Sequence, residues 1–266
     1  MWRLNASLRW NKIRSRKDIA MNRFLSGFFL ILLTAFFFSS FGTENARAQA
    51  SFQPEYIVVT GGPSLIEWEK FKRIPHDHWW ANFVHASRIR LEELRNQNGP
   101  NALITWLVYK PSYVRRGERV EKRDLIAEIQ SVQQKFNLHL VFFNSHDALI
   151  NYLNAGQPRE TVKIANFEYF GHSNRACFMF DYSNQIDSGS KAWLHEKELT
   201  QINRSDFAPH AFIKSWGCHT GESMSANWRR AIGQHMIGAI GSTDYSGSDA
   251  PGWHPQLGSS KGRWAN

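Results

Sequence analysis

A histidine and a cysteine sit in two stretches of the same grammar. Val162-Lys163-Ile164-Ala165-Asn166-Phe167-Glu168-Tyr169-Phe170 is a largely apolar run that stops at Gly171-His172-Ser173-Asn174. Ala211-Phe212-Ile213-Lys214-Ser215-Trp216 stops in the same way at Gly217-Cys218-His219-Thr220-Gly221. A thiol is a useful nucleophile only as its thiolate, and a nearby imidazolium or a helix N-terminus favours that form. Cys218 has both prospects, because a helical pattern opens at Glu222 and His172 ends the other run. An acyl intermediate also needs donors for its oxyanion. Main-chain N–H groups of Gly171, Ser173, Gly217 and Cys218 are in the right neighbourhood to supply them.

Such a pair needs two neighbouring strands to deliver it. Short apolar runs closed by glycine read as buried parallel strands, and in open α/β sheets ligands bind outside the carboxyl ends of the strands. The rest of the chain alternates accordingly. Strands are expected at 56–60 (closed by Gly61-Gly62-Pro63), 102–109, 138–143 and 235–241. Helices are expected at 79–97, where Phe83, Ala86, Ile89, Leu91 and Leu94 share a side, and at 122–136, 147–153, 193–202 and 222–232. Residues 111–119 read as a basic loop, 177–182 as a hairpin arm and 183–190 as a polar loop. Alternating strands and helices argue for one α/β domain with a mainly parallel sheet flanked by helices. It spans 51–246, and the Gly/Ser/Pro-rich 247–266 reads as a flexible C-terminal tail in which Trp253 and Trp264 offer docking points.

The two motifs carry a resemblance. Tyr169-Phe170-Gly171-His172-Ser173 resembles the histidine motif of caspase-like cysteine peptidases, nearest to metacaspases and CHAT domains. Gly217-Cys218-His219-Thr220-Gly221 is similar to their Cys-His-Ser-Gly block, and Ile237-Gly238-Ala239-Ile240-Gly241-Ser242 resembles the strand after the cysteine helix. The resemblance covers roughly residues 138–242. It implies a caspase-like three-layer α/β/α sandwich, a His172/Cys218 dyad, peptide-bond hydrolysis and a P1 pocket at the strand ends. No cofactor and no metal are expected. Metacaspases that cut after Arg or Lys carry Asp two residues before the cysteine, where this chain has Trp216, and Ser173 stands where glycine usually follows the histidine. Asp181 and Asp244 are the remaining acidic candidates for the pocket. The histidine precedes the cysteine, the reverse of the papain-type order.

Plainer readings compete. Cys218 is equally readable as an inert buried thiol or as half of a Cys177–Cys218 disulfide in a non-catalytic binding domain of the same fold. Another thiol acyl-transfer enzyme of the cell envelope would keep the dyad and change the substrate. His172 is also readable as a hydrogen-bonded structural histidine, and His219 as a residue of the helix start or the surface. Glu168, inside an apolar run, is outward-facing, a buried partner for Arg159 or Arg175, or a group that orients His172. His76-Asp77-His78 with His85 lacks a matching ligand spacing for a metal site.

The first 50 residues are set apart. Arg9 to Arg23 is basic, 24–41 is apolar, and Ala46-Arg47-Ala48 and Ala48-Gln49-Ala50 are small-x-small patterns, the three parts of a secretory signal peptide, with Met21 as an alternative start that gives a more ordinary n-region. An exported protein, periplasmic or secreted, is expected, with the membrane reached only through this segment if it stays uncleaved. Residues 1–50 hold eight Lys/Arg and two Asp/Glu, or +6 of the +9 net charge. The remaining +3 leaves no dense basic stripe, which excludes nucleic acid as a partner. The expected partner is a peptide or protein substrate; nothing in the sequence addresses oligomeric state.

Overall fold

The computed structural model describes residues 51–63, 79–182, 192–247 and 251–265. The expected leader, the 183–190 loop and the His76-Asp77-His78 triplet lie outside the described residues. In chain order the elements are β1 (Gln53–Thr60), α1 (Asn82–Asn98), β2 (Leu103–Tyr109), α2 (Lys110–Arg116), α3 (Leu125–Phe136), β3 (His139–Phe143), α4 (His146–Ala155) and β4 (Val162–Phe170). There follow β5 (His172–Ser173), β6 (Cys177–Met179), β7 (Trp193–His195), β8 (Phe207–Ser215), α5 (Met224–Ile232), β9 (Gly238–Ile240), β10 (Thr243–Asp244), β11 (Gln256–Leu257) and β12 (Arg263–Ala265).

Five strands pair in the order β3-β2-β1-β4-β8, every pair parallel. Beyond β8, Ser215 donates its N–H to the Ile237 carbonyl at 2.8 Å and Ile237 returns its N–H to Ile213 at 2.9 Å, so the chain runs alongside β8 before entering β9. Both faces of the sheet are covered. Val58, Trp106, Val108 and Phe170 face α1 and α3; Ile57, Val59, Leu107, Phe167 and Ile213 face α4, α5 and the β6–β7 ribbon. Two-sided burial is why β2 reads Leu-Ile-Thr-Trp-Leu-Val-Tyr with no polar alternation. The result is a three-layer α/β sandwich. Capping residues start two of the helices, α3 and α4: the Asp124 carboxylate accepts the N–H groups of Ile126 and Ala127, and Ser145 Oγ accepts that of Ala148.

Three expectations are corrected. Residues 111–119 are not a loop. Pro111 occupies the first turn of α2, where its missing N–H is no loss, and Ser112, Tyr113 and Arg116 are buried. Residues 193–202 do not form one helix. Trp193 to His195 pair with β6, the Glu198 carboxylate accepts the His195 N–H at 2.8 Å, and only Glu198–Gln201 turns, as a 3₁₀ segment. Within the stretch read as a flexible tail, 251–265 is structured: β11 pairs with β10, β12 pairs with β9, and Trp253 and Trp264 pack on the α1 side of the core.

At the amino end of the sheet, opposite the Cys/His turns, β1 buries a charged network. The Glu55 carboxylate, with no solvent exposure, accepts from Arg159 Nη1 at 2.6 Å, Thr105 Oγ1 at 2.5 Å and Tyr152 Oη at 2.7 Å. Burial, with the Glu55 charge second, pushes the Tyr152 phenol up to about 12, so it stays a proton donor. Removing one partner of a buried pair leaves the other charge uncompensated. Arg159→Met is therefore expected to cost about 3–5 kcal/mol, read from the shift of the urea unfolding curve.

Candidate functional site

The order of the sheet reverses between β1 and β4, and a crevice forms at such a switch, beyond the carboxyl ends of the strands. His172 stands at this point. After Phe170 the chain turns through Gly171, and β5 runs back antiparallel to β6 with His172 opposite Met179. Tyr169 fixes the turn: its buried hydroxyl lies 2.6 Å from the His172 carbonyl and 3.1 Å from that of Met179. Burial pushes this phenol well above its ordinary range, which keeps it a donor. Gly171 is required because a Cβ there would meet Tyr169 Oη at 2.5 Å. The His172 ring packs edge-on to Phe83 of α1, centroids 4.9 Å apart, and against Tyr182 at 4.9 Å.

Cys218 arrives on the neighbouring strand. The Trp216 N–H, just past β8, donates to the Tyr169 carbonyl at 2.9 Å. Ser173 Oγ then donates to the Cys218 carbonyl at 2.7 Å. Gly217 fits between the turns: a Cβ there would overlap Ser173 Oγ and come within 3.0 Å of the Gly171 carbonyl. Thus the Gly171–Ser173 and Gly217–Cys218 segments are in direct contact. His219 continues the cysteine turn in the left-handed region, φ 62°, a conformation that costs a non-glycine residue about 1–2 kcal/mol. It is held there by its N–H to the Gly241 carbonyl, 2.8 Å, and by Nδ1 against Glu222 Oε1, 2.6 Å. The hydrogen bond to His219 holds the Glu222 carboxyl below its usual range. His219 is half-buried, in the turn that leads to the helix.

The Cys218 sulfur has one neighbour that sequence reasoning missed. Thr243 directs its main-chain N–H at Sγ from 3.3 Å, its hydroxyl lies 3.5 Å away, and its carbonyl 3.9 Å. A lone threonine in Ser242-Thr243-Asp244 carries no motif; it is brought to the thiol by the His219 N–H on the Gly241 carbonyl, two residues before it, and by the pairing of β10 with β11. Two of the expected oxyanion donors are already engaged: the Gly171 N–H donates to Tyr245 Oη at 3.2 Å and the Gly217 N–H to Ser215 Oγ at 3.3 Å. The Ser173 hydroxyl is engaged as well, donating to the Cys218 carbonyl at 2.7 Å. Among the described residues the Cys218 N–H donates to none, so it is the amide available to an oxyanion.

The residues expected to line a substrate pocket are used otherwise. Trp216 is only 6 % exposed. Its ring stacks on Phe170 at 5.7 Å and on His254 at 4.9 Å, and its Nε1 donates to Glu168 Oε2 at 2.8 Å. Glu168 is fully buried and pairs with Arg90 of α1 at 2.6 Å, not with Arg159 or Arg175. Lys214 Nζ lies 3.3 Å from the Trp216 ring centroid and 4.2 Å from that of Trp264. Burial pulls this ammonium down to about 8, opposed by the Glu168 charge and aided by Arg90. Asp181, 2 % exposed, is ion-paired to Arg115 at 2.5 Å and faces the Tyr109 hydroxyl at 3.5 Å, so its charge is spent inside the protein. Asp244 is exposed, and its carboxylate accepts the Ser246 N–H at 2.7 Å.

Both cysteines are free thiols. Cys177 on β6 faces His195 of β7, and burial, then the Glu198 and Glu196 charges, push its thiol up to about 11. Among the described residues no three His, Cys, Asp or Glu side chains converge in a way that would hold a metal ion, and no helix is long and apolar enough to cross a membrane. Since alkylation proceeds through the thiolate, iodoacetamide at about pH 7.5 is expected to label Cys218 at least about tenfold faster than Cys177. Peptide mapping by mass spectrometry checks this, with Cys177 labelling rising only towards pH 11. No family model, no curated protein and no solved structure matches the chain, so the reading of this site stands on its own geometry.

Proposed function

We propose that the protein is an exported cysteine peptidase of caspase-like architecture that hydrolyses peptide bonds with Cys218 as nucleophile and His172 as its base. The observation that carries this reading is the contact between the two turns at the carboxyl ends of adjacent parallel strands, sealed by Ser173 Oγ on the Cys218 carbonyl. In the reaction the Cys218 thiolate attacks the substrate carbonyl, forming the C–S bond. The oxyanion is received by the Cys218 N–H, and imidazolium at His172 gives its proton to the departing amine. Water, deprotonated by the now neutral imidazole, then cleaves the thioester and returns the thiol. The step needs no cofactor. With Asp181 neutralised by Arg115 and Trp216 enclosed, the acidic P1 pocket of the metacaspases has no counterpart in these residues.

A transpeptidase or other acyl-transfer enzyme would use the same thioester and a different acceptor; the free Cys218 thiol serves both, and only substrate profiling separates them. The first test is the alkylation rate of Cys218 against pH in the parent and in His172→Ala. A fast reaction at low pH that slows by about tenfold or more in the variant is expected. Equal profiles would sink the dyad. On any peptide that is cleaved, Cys218→Ala is expected to reduce kcat by at least about a thousandfold with the unfolding midpoint retained; full turnover in that variant rules out the mechanism.

A further inference from the structure

Thr243 is reached by neither motif, yet it is the residue around the Cys218 sulfur. Its N–H at 3.3 Å and its hydroxyl at 3.5 Å both approach Sγ. The two protonation states use it differently. A thiol can donate to the Thr243 carbonyl or hydroxyl; a thiolate accepts from the N–H and from the hydroxyl proton. Hydrogen bonds to the charged form favour that form, and a threonine supplies two of them from one residue.

Thr243 does not hold itself in place. It begins β10, a two-residue strand whose partner is β11, with Thr243 opposite Leu257 and Asp244 opposite Gln256. The Gly258 N–H donates to the Ser242 carbonyl at 2.8 Å, fixing the residue before it. β11 leads to β12, which pairs with β9, Trp264 opposite Ala239. Trp264 sets its edge on Trp216, centroids 5.4 Å apart at 78°, with Lys214 Nζ over its face. His254, stacked on the other side of the network, pairs with Glu93 of α1 at 3.2 Å. The loop that carries Thr243 is thus held at its pairing strand, and that strand is anchored on the residues just before Cys218.

We propose that Thr243 is the positioning residue of the Cys218 sulfur and that the 256–265 ribbon, anchored by Trp264, is the strap that keeps it there. The proposal rests on the reading of Cys218 as a nucleophile and gives that thiol two polar neighbours from one residue. It also gives a role to a stretch rich in Gly and Ser that is structured as two short strand pairings beside the sheet.

The test is the Cys218 alkylation profile in the full chain, followed by peptide mapping so that Cys177 does not interfere. The ionisable neighbours His172, His219, Glu222 and Asp244 are unchanged in every Thr243 and Trp264 variant. Thr243→Val is expected to slow alkylation at about pH 7 by about three- to tenfold and to move the rate curve to higher pH, because one donor to the thiolate is lost. Thr243→Ser is expected to restore the parent curve. Trp264→Ala is expected to reproduce the Thr243→Val shift, and Trp264→Phe to restore it. A loss of fold would lower the unfolding temperature and speed the labelling of the half-buried Cys177, so a shift counts only in a variant whose unfolding midpoint and Cys177 rate match the parent. An unshifted Thr243→Val curve overturns the positioning role; a shifted Thr243→Val curve with an unshifted Trp264→Ala curve overturns the strap. If His172→Ala leaves the curve unchanged while Thr243→Val shifts it, the dyad fails and this proposal stands.

Discussion

The arrangement of the site depends on one buried carboxylate. Glu168 sits on β4 with no exposure, and a charge in that position is tolerated only if it is paired and hydrogen-bonded. Its two oxygens take Arg90 from α1 and the indole N–H of Trp216. Three parts of the chain are thereby tied at one point: the helix that covers the sheet, the strand that leads to His172, and the residue two before Cys218. Such a group offers little net stability compared with an apolar replacement, but it penalises any other register of these elements, because each alternative leaves a charge unpaired. The aromatic stack of Phe170, Trp216 and His254 then fills the space that the ion pair defines.

Close approach is the second constraint. Gly171 passes under the Tyr169 ring and Gly217 passes over Ser173, and neither place has room for a Cβ. Glycine at these positions shortens the distance between turns by the width of a side chain, which lets Ser173 reach the Cys218 carbonyl. His219 bears the opposite burden. It adopts a left-handed conformation with a full side chain, held by Gly241 and Glu222 from the following turn and strand region. Strain of this kind persists where surrounding contacts over-determine the backbone.

The central strands and their order of appearance were legible because burial on both faces writes continuous apolar runs, and because glycine marks where they stop. β4 begins and ends where the residues suggested, and the helix bearing Phe83, Ala86, Ile89, Leu91 and Leu94 buries all five. Local pattern failed where a long-range partner decided. Trp193-Leu194-His195 has a helix-compatible pattern and became a strand because Cys177–Met179 lies beside it. Pro111 reads as a loop signal until Ser112 is seen packed on Gly62. Trp216 and Asp181 looked available for a substrate because nothing in their own neighbourhood shows Glu168 or Arg115 reaching them from elsewhere in the chain. Thr243 was invisible for the same reason. Spacing can locate a nucleophile on a strand end, but the atoms around its sulfur come from residues whose types are unremarkable.

The position of β1 bears on how such a chain reaches its native state. β1 lies at the middle of the sheet, yet both of its partners come later: Ile57 pairs with Thr105 on one side and with Phe167 on the other. Contacts this distant along the chain are slow to form, since the loop entropy is lost before the pairing is gained. Until β4 is made, an apolar strand stands with one edge open, the form most prone to wrong association. In a sheet of this order the central pairing on one side of β1 is complete only after about a hundred further residues have been gathered in, and topology of that kind sets folding speed.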